Sequence, residues 1–230
     1  MRLKSSCLTA VIFLLCLVTV CNAGLYEATF EGYLDGISGV PEMTDRFSHG
    51  DLMRATILYQ APSLDSNTDP TRGYYTDSIQ SLTVFIGSTV PYTATATNGR
   101  WQVNNNLPND PSPPYDQIFA QVSKPGLSNP GTLTGPALGD LTIWDFLLQL
   151  HDGTGTALNS DVLPTSFTPA DFDSNQLRLS FVEPDRPVGR YLIARGEITS
   201  TTRVVPIPGS LLLGSIGIGC YGLLRKRKKA

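Results

Sequence analysis

Two short segments carry residue types that could bind a metal or cleave a bond. Asp65-Ser66-Asn67-Thr68-Asp69 sets side-chain oxygens at alternate positions, the spacing that opens a calcium loop. Pro70 stands where such a loop needs glycine, and no glutamate occupies its twelfth position. Asp65, Asn67 and Asp69 are therefore expected to cap backbone N–H groups in an Asx-rich turn, with a calcium site as the alternative. His151-Asp152-Gly153-Thr154-Gly155 falls one residue out of an Asp-Thr-Gly catalytic motif, because Gly153 intervenes, and no second copy supplies a partner carboxylate. Asp152-Gly153 reads instead as a hairpin turn. With only His49 and His151, a three-His zinc site cannot be built. No serine occupies a Gly-x-Ser-x-Gly elbow, and residues 24–203 hold no cysteine nucleophile. The 20 acidic residues offer many carboxylate pairs for glycoside hydrolysis, without the separations that would identify one. These patterns assign no catalytic residue, no metal and no cofactor.

Aromatic side chains offer a different chemistry, stacking on sugar rings. Trp101, beside Asn104-Asn105-Asn106, and Tyr115 are expected to lead such a platform, with Trp144, Tyr74, Tyr75 and Tyr92 as further candidates. The competing reading puts strand aromatics in the core or in cross-strand pairs.

Strands must position all of these residues. Runs rich in β-branched and aromatic residues recur between Gly, Pro, Asn and Asp clusters: 25–33, 52–60, 78–87, 92–97, 101–104, 117–123, 142–151, 177–182 and 191–199. Leu177, Leu179 and Phe181 alternate with Arg178 and Ser180, as in a strand with one buried face. Residues 33–44 and 104–115 lack a periodic pattern and are expected to be loops, the second stiffened by Pro111, Pro113 and Pro114. Ile143 to Leu150 has helix-like spacing, but its flanking turns favour a strand. Asp171-Phe172-Asp173 is expected to open a short helical turn after Pro169. The whole predicts one all-β domain, most simply an antiparallel two-sheet sandwich of jelly-roll type.

The two ends are of another kind. Arg2 and Lys4 precede an apolar run from Leu8 to Val20, and Cys21-Asn22-Ala23 offers a small-residue cleavage site before Gly24, which marks 1–23 as a signal peptide. At the other end Val205-Pro206-Ile207-Pro208-Gly209-Ser210 leads into an apolar run, 211–224, and then Arg225-Lys226-Arg227-Lys228-Lys229. A membrane-spanning helix needs about 20 apolar residues, so 211–224 predicts a short transmembrane helix. The basic cluster that stops it stays on the cytoplasmic side, leaving the body outside. Setting both ends aside leaves a body, 24–203, with ten basic residues against 20 acidic ones, a net −10, and Lys124 as its single lysine. That excludes nucleic acid as a partner. All four cysteines, Cys7, Cys16, Cys21 and Cys220, lie in the ends, so the body needs a core without disulfides.

The C-terminal arrangement, 204–230, resembles the PEP-CTERM sorting signal: the motif 205–210, a short span and an Arg/Lys cluster. Ile207 stands where the family's usual motif has glutamate, as in an aliphatic subset. The resemblance implies an exported protein, held at the inner membrane with its domain outside, processed by exosortase and the export machinery, and delivered to the cell surface or extracellular matrix beside exopolysaccharide. Gly73-Tyr74-Tyr75, Ile79, Val84-Phe85-Ile86-Gly87, Leu148–Asp152, Leu163-Pro164 and the strand around 177–181 are similar to a body that recurs in that class, a resemblance that implies architecture alone. The function expected is that of a non-enzymatic envelope or matrix protein. The alternatives are a carbohydrate-binding module at the cell surface and a carboxylate-dependent hydrolase.

Overall fold

The computed structural model describes residues 24–61, 63–87, 90–109, 112–126, 131–183, 191–202 and 205–207. Leu25–Val205 form one compact unit. Period-two alternation builds its strands. In β2 (Leu52–Ala61) Met53, Ala55, Ile57, Tyr59 and Ala61 are buried and Arg54 is exposed. The same alternation runs through β3 (Arg72–Gly87), β4 (Tyr92–Ala96), β6 (Ser112–Ser123) and β8 (Ser174–Val182). β1 (Gly24–Ile37), β5 (Gly99–Asn109), β7 (Thr142–Asp152) and β9 (Leu192–Thr201) complete the body, and Val205–Ile207 form a short β10.

Neighbours in the sheet follow the chain, β1-β2-β3-β5-β6-β7-β8-β9, with β4 on β3. β1 then pairs antiparallel with β9, Phe30 opposite Thr201 and Ile37 opposite Ala194, so eight strands close into an antiparallel barrel. This corrects the two-sheet sandwich. Alternation dictates which face of each strand is buried; it does not say whether the sheet splits or curls shut. The closure is local to β1, whose bulges between Glu31 and Gly32 and between Leu34 and Gly36 coil the strand against β9. Gly32 permits the approach, since a Cβ there would overlap the Glu197 carbonyl oxygen.

The interior is filled. Phe30, Tyr59, Trp101, Phe146 and Phe181 are completely buried, and burial of each such side chain is worth roughly 1.5–3 kcal/mol. One mouth is plugged by a single-turn helix, α1 (Pro41–Thr44), and the residues after it: Met43 is buried, and Phe47 packs edge-on against Tyr92 at 5.7 Å. The other is plugged by the 153–173 connection, whose Phe167 lies 5.3 Å from Phe30 and 5.3 Å from Trp101. Inward tyrosines fasten the connections at both mouths: Tyr59 Oη donates to the Pro164 carbonyl and Tyr75 Oη to that of Asp161 in the 153–173 plug, and Tyr92 Oη to that of Pro136 in the connection between β6 and β7. Thr29, Glu31, Arg54, Gln102, Arg195 and Glu197 face outward from the strands. That is the inverse of a barrel embedded in lipid, whose apolar band faces out.

Other expectations meet the structure strand by strand. Ile143–Leu150 lies within β7 and a 3-10 turn covers Pro169–Asp171. Residues 104–109 and 112–115 are not loop but paired strand, with Leu107 opposite Tyr115 and Asn109 opposite Ser112, and β1 continues to Ile37. Asp152-Gly153 does not turn a tight hairpin; the long 153–173 connection joins β7 to β8. The expected signal peptide (1–23) and the apolar run 211–224 lie outside the described residues. Among the described residues no helix is long and apolar enough to cross a membrane, so the expected transmembrane helix has no counterpart there.

Candidate functional site

Among the described residues, the most buried carboxylates belong to the mouth closed by 153–173. Asp116 on β6 and Asp152 on β7 sit directly opposite each other, 0% and 3% exposed. Their separation in sequence hides the pairing. Each oxygen is occupied by main chain: Asp116 accepts from Asn106 N and Leu158 N, both at 2.7 Å. Asp152 Oδ1 accepts from Thr154 N at 2.8 Å and Thr154 Oγ1 at 2.7 Å, while Oδ2 accepts from Thr156 N at 2.8 Å and Ala157 N at 3.0 Å. Gly155, at φ +67°, lets the chain turn within this cradle. These carboxylates anchor the plug.

Burial alone would push the Asp152 carboxyl up. The hydrogen bonds from Thr154, Thr156 and Ala157 outweigh it and hold the group well below the usual carboxylate range. A folded-state value below the unfolded one, about 3.9, contributes stability above that pH and loses it as acid protonates the folded carboxylate. Asp152→Asn is therefore expected to lower stability near neutrality by about 1–3 kcal/mol, because two N–H donors would face an amide NH2. Its urea midpoint should also fall less than that of the parent between pH 5 and 3. An unchanged acid limb would contradict the assignment.

The residues singled out by type scatter over the barrel. Trp101 is wholly inside, stacked on Phe167 at 5.3 Å and 14° and 5.4 Å from Tyr59, so its ring offers no face to a sugar. Tyr115 is half-buried on the outer surface against His151 at 5.3 Å, on the opposite side of the sheet from Trp101. Asp65, Asn67 and Asp69 form successive turns: Asp65 accepts from Asn67 N and Tyr74 N, Asn67 from Asp69 N, and Asp69 from Thr71 N and Oγ1. Among the described residues no group of three or more His, Cys, Asp or Glu is placed to hold a metal. His49 lies before β2 at the α1 mouth and His151 near the other mouth. Gly24 opens β1, and Val205, Pro206 and Ile207 form β10. Ala23, Pro208, Gly209, Ser210 and the basic cluster 225–229 lie outside the described residues.

What the fold does assemble is an outer face across β3 and β5–β8. Cross-strand registers align Tyr74, Gln102, Phe119, Gln149 and Gln176 in one row, with Asn104, Gln117 and His151 beside it. The amides are coupled: Gln102 Nε2 donates to Asn104 Oδ1 at 2.9 Å, Asn104 Nδ2 to Gln117 Oε1 at 3.0 Å, and Gln176 Nε2 to Gln149 Oε1 at 2.7 Å. The Arg100 guanidinium lies 5.0 Å from the Tyr74 ring centre and 6.0 Å from that of Phe119, hydrogen-bonded to Gln121 Oε1 at 2.6 Å and to Tyr74 Oη. Planar groups and paired donors and acceptors thus lie side by side on one preordered outer surface. Sequence alternation placed the amides on strands, yet only register shows that they are neighbours. Comparison with family models, characterised proteins and solved structures finds no match.

Proposed function

We propose that this chain is an exported, non-enzymatic envelope or matrix protein that acts through the outside of its barrel. The observation that carries the reading is where polar chemistry is spent. The lumen is filled with apolar side chains, the mouths are plugged, and the buried pair Asp116 and Asp152 is committed to main-chain amides. Clefts at the mouths are lined mainly by residues of the connections, such as Leu158, Leu163 and Phe167 at one and Glu42, Arg46 and Ala137 at the other. A net −10 on 24–203 favours a dispersed, soluble body.

The ends support an address. In this reading, exosortase-type processing at the motif 205–210 releases a body retained at the inner membrane until then, and the destination is the cell surface or matrix beside exopolysaccharide. Intact-mass measurement of the protein from its producing cells is expected to give a start at Gly24 and an end between Pro206 and Ser210. A mass that extends through Ala230 would overturn the processing step.

A further inference from the structure

One part of the outer face is built unlike the rest. Ser123, Asp145 and Ser180 stand in a single cross-strand row on β6, β7 and β8, on the outward side, yet they are only 1%, 9% and 1% exposed. No described protein group is within hydrogen-bonding reach of Ser123 Oγ, Asp145 Oδ1 or Ser180 Oγ, nor of Arg178 Nε in the next row. Arg178 Nη2 approaches Asp145 Oδ2 only to 3.7 Å. Leaving one buried polar group unpaired costs about 1–3 kcal/mol, and here four gather at one place.

The bulge of β7 between Ile143 and Asp145 sets Trp144 beside this row. Lys124 N donates to the Trp144 carbonyl at 2.8 Å, and Lys124 Nζ lies 5.6 Å from the indole. Tyr191, 41% exposed, packs against the same ring at 5.8 Å. An aromatic plane therefore borders a carboxylate oxygen, two hydroxyls and a guanidinium N–H, all with bonding capacity to spare.

We infer that Ser123, Asp145, Ser180 and Arg178, with Trp144 and Tyr191 alongside, form a binding site for a neutral saccharide unit. This rests on the reading that the barrel acts through its outer surface, and it names the ligand class. Vicinal hydroxyls of one sugar both donate and accept, so they satisfy Asp145 Oδ1 and Arg178 Nε together, while the C–H face of the ring packs on Trp144. The carboxylate with a free oxygen calls for a donor, which disfavours phosphate and uronate, as does the net −10 of the body. An apolar peptide would leave the same four groups unpaired. The four atoms are closed to solvent in this conformation, so entry of a sugar requires the Arg178 side chain, 31% exposed on a flexible stem, to swing aside. The row Gln121–Leu147–Arg178 links this site to the amide face, so a chain could continue along it.

The test is native-gel retardation of the mature protein by dextran, mixed-linkage β-glucan, galactomannan and xylan, with alginate as the acidic comparison. At least one neutral polymer is expected to retard the parent. Trp144→Ala, Asp145→Asn and Ser180→Ala should each weaken that retardation tenfold or more while the circular dichroism of the folded barrel is retained, and Trp144→Tyr should restore most of it. Retardation by none of the neutral polymers, by alginate alone, or undiminished from the parent in all three variants would overturn the inference. A processed mass at both termini together with no retardation would leave the sorting reading standing and remove this one.

Discussion

Replacing Trp101 with alanine is expected to destabilise the barrel by about 3–5 kcal/mol, the range for truncating a large buried aromatic side chain. Trp101 has no exposed surface and is wedged between Tyr59 on β2 and Phe167 of the 153–173 plug. Its removal would leave Phe167 without its stacking partner and loosen a mouth as well as the core. Urea unfolding should show the loss as a lower midpoint, and the thermal midpoint should drop by roughly 10 °C. Trp144→Ala is the internal comparison. That ring is half-buried on the outer surface, and its loss should cost well under half as much. Equal effects at the two tryptophans would contradict the inside–outside assignment on which the saccharide site depends.

Gly32→Ala is expected to cost more than about 3 kcal/mol, above the usual range for an overpacked site, because the obstacle is main chain and cannot rotate away. A methyl group at position 32 would occupy the place of the Glu197 carbonyl, across the β1–β9 seam that closes the barrel. Hydrogen exchange should accelerate first in β1 and β9. Gly39→Ala, where a Cβ would meet nothing within 4 Å, is expected to change stability by no more than about 0.5 kcal/mol. If Gly32→Ala behaved like Gly39→Ala, β1 and β9 would not be neighbours in solution, and the closed barrel would be wrong.

Most strands are visible in sequence because alternation is a local property: Met53 to Ala61 and Leu177 to Phe181 each declare a buried face within a few residues. The helix-like spacing of Ile143 to Leu150 has a cause in the bulge before Asp145, which shifts Ile143 out of the strand's simple period. The 104–115 hairpin is hidden for another reason. Asn, Pro and Ser make up most of it, and their preference for turns is overridden by pairing with the opposite strand. The Asx turns at Asp65, Asn67 and Asp69 were readable because each closes over two residues. Asp116 was not, since its acceptors' partners include Leu158, 42 residues away.

By itself, then, the sequence determines an all-β body with a net −10, no disulfides, and ends of a different character from the middle. Composition and short-period pattern suffice for these. Tertiary structure decides that the sheet closes, that Trp101 faces in and Trp144 faces out, and that Ser123, Asp145 and Ser180 share a row. Closure pairs Phe30 with Thr201 across nearly the whole body, and the row joins three strands through connections that carry no trace of the register. Alternation has a period of two residues, whereas strand tilt, bulge placement and register are set by packing all eight strands around one core.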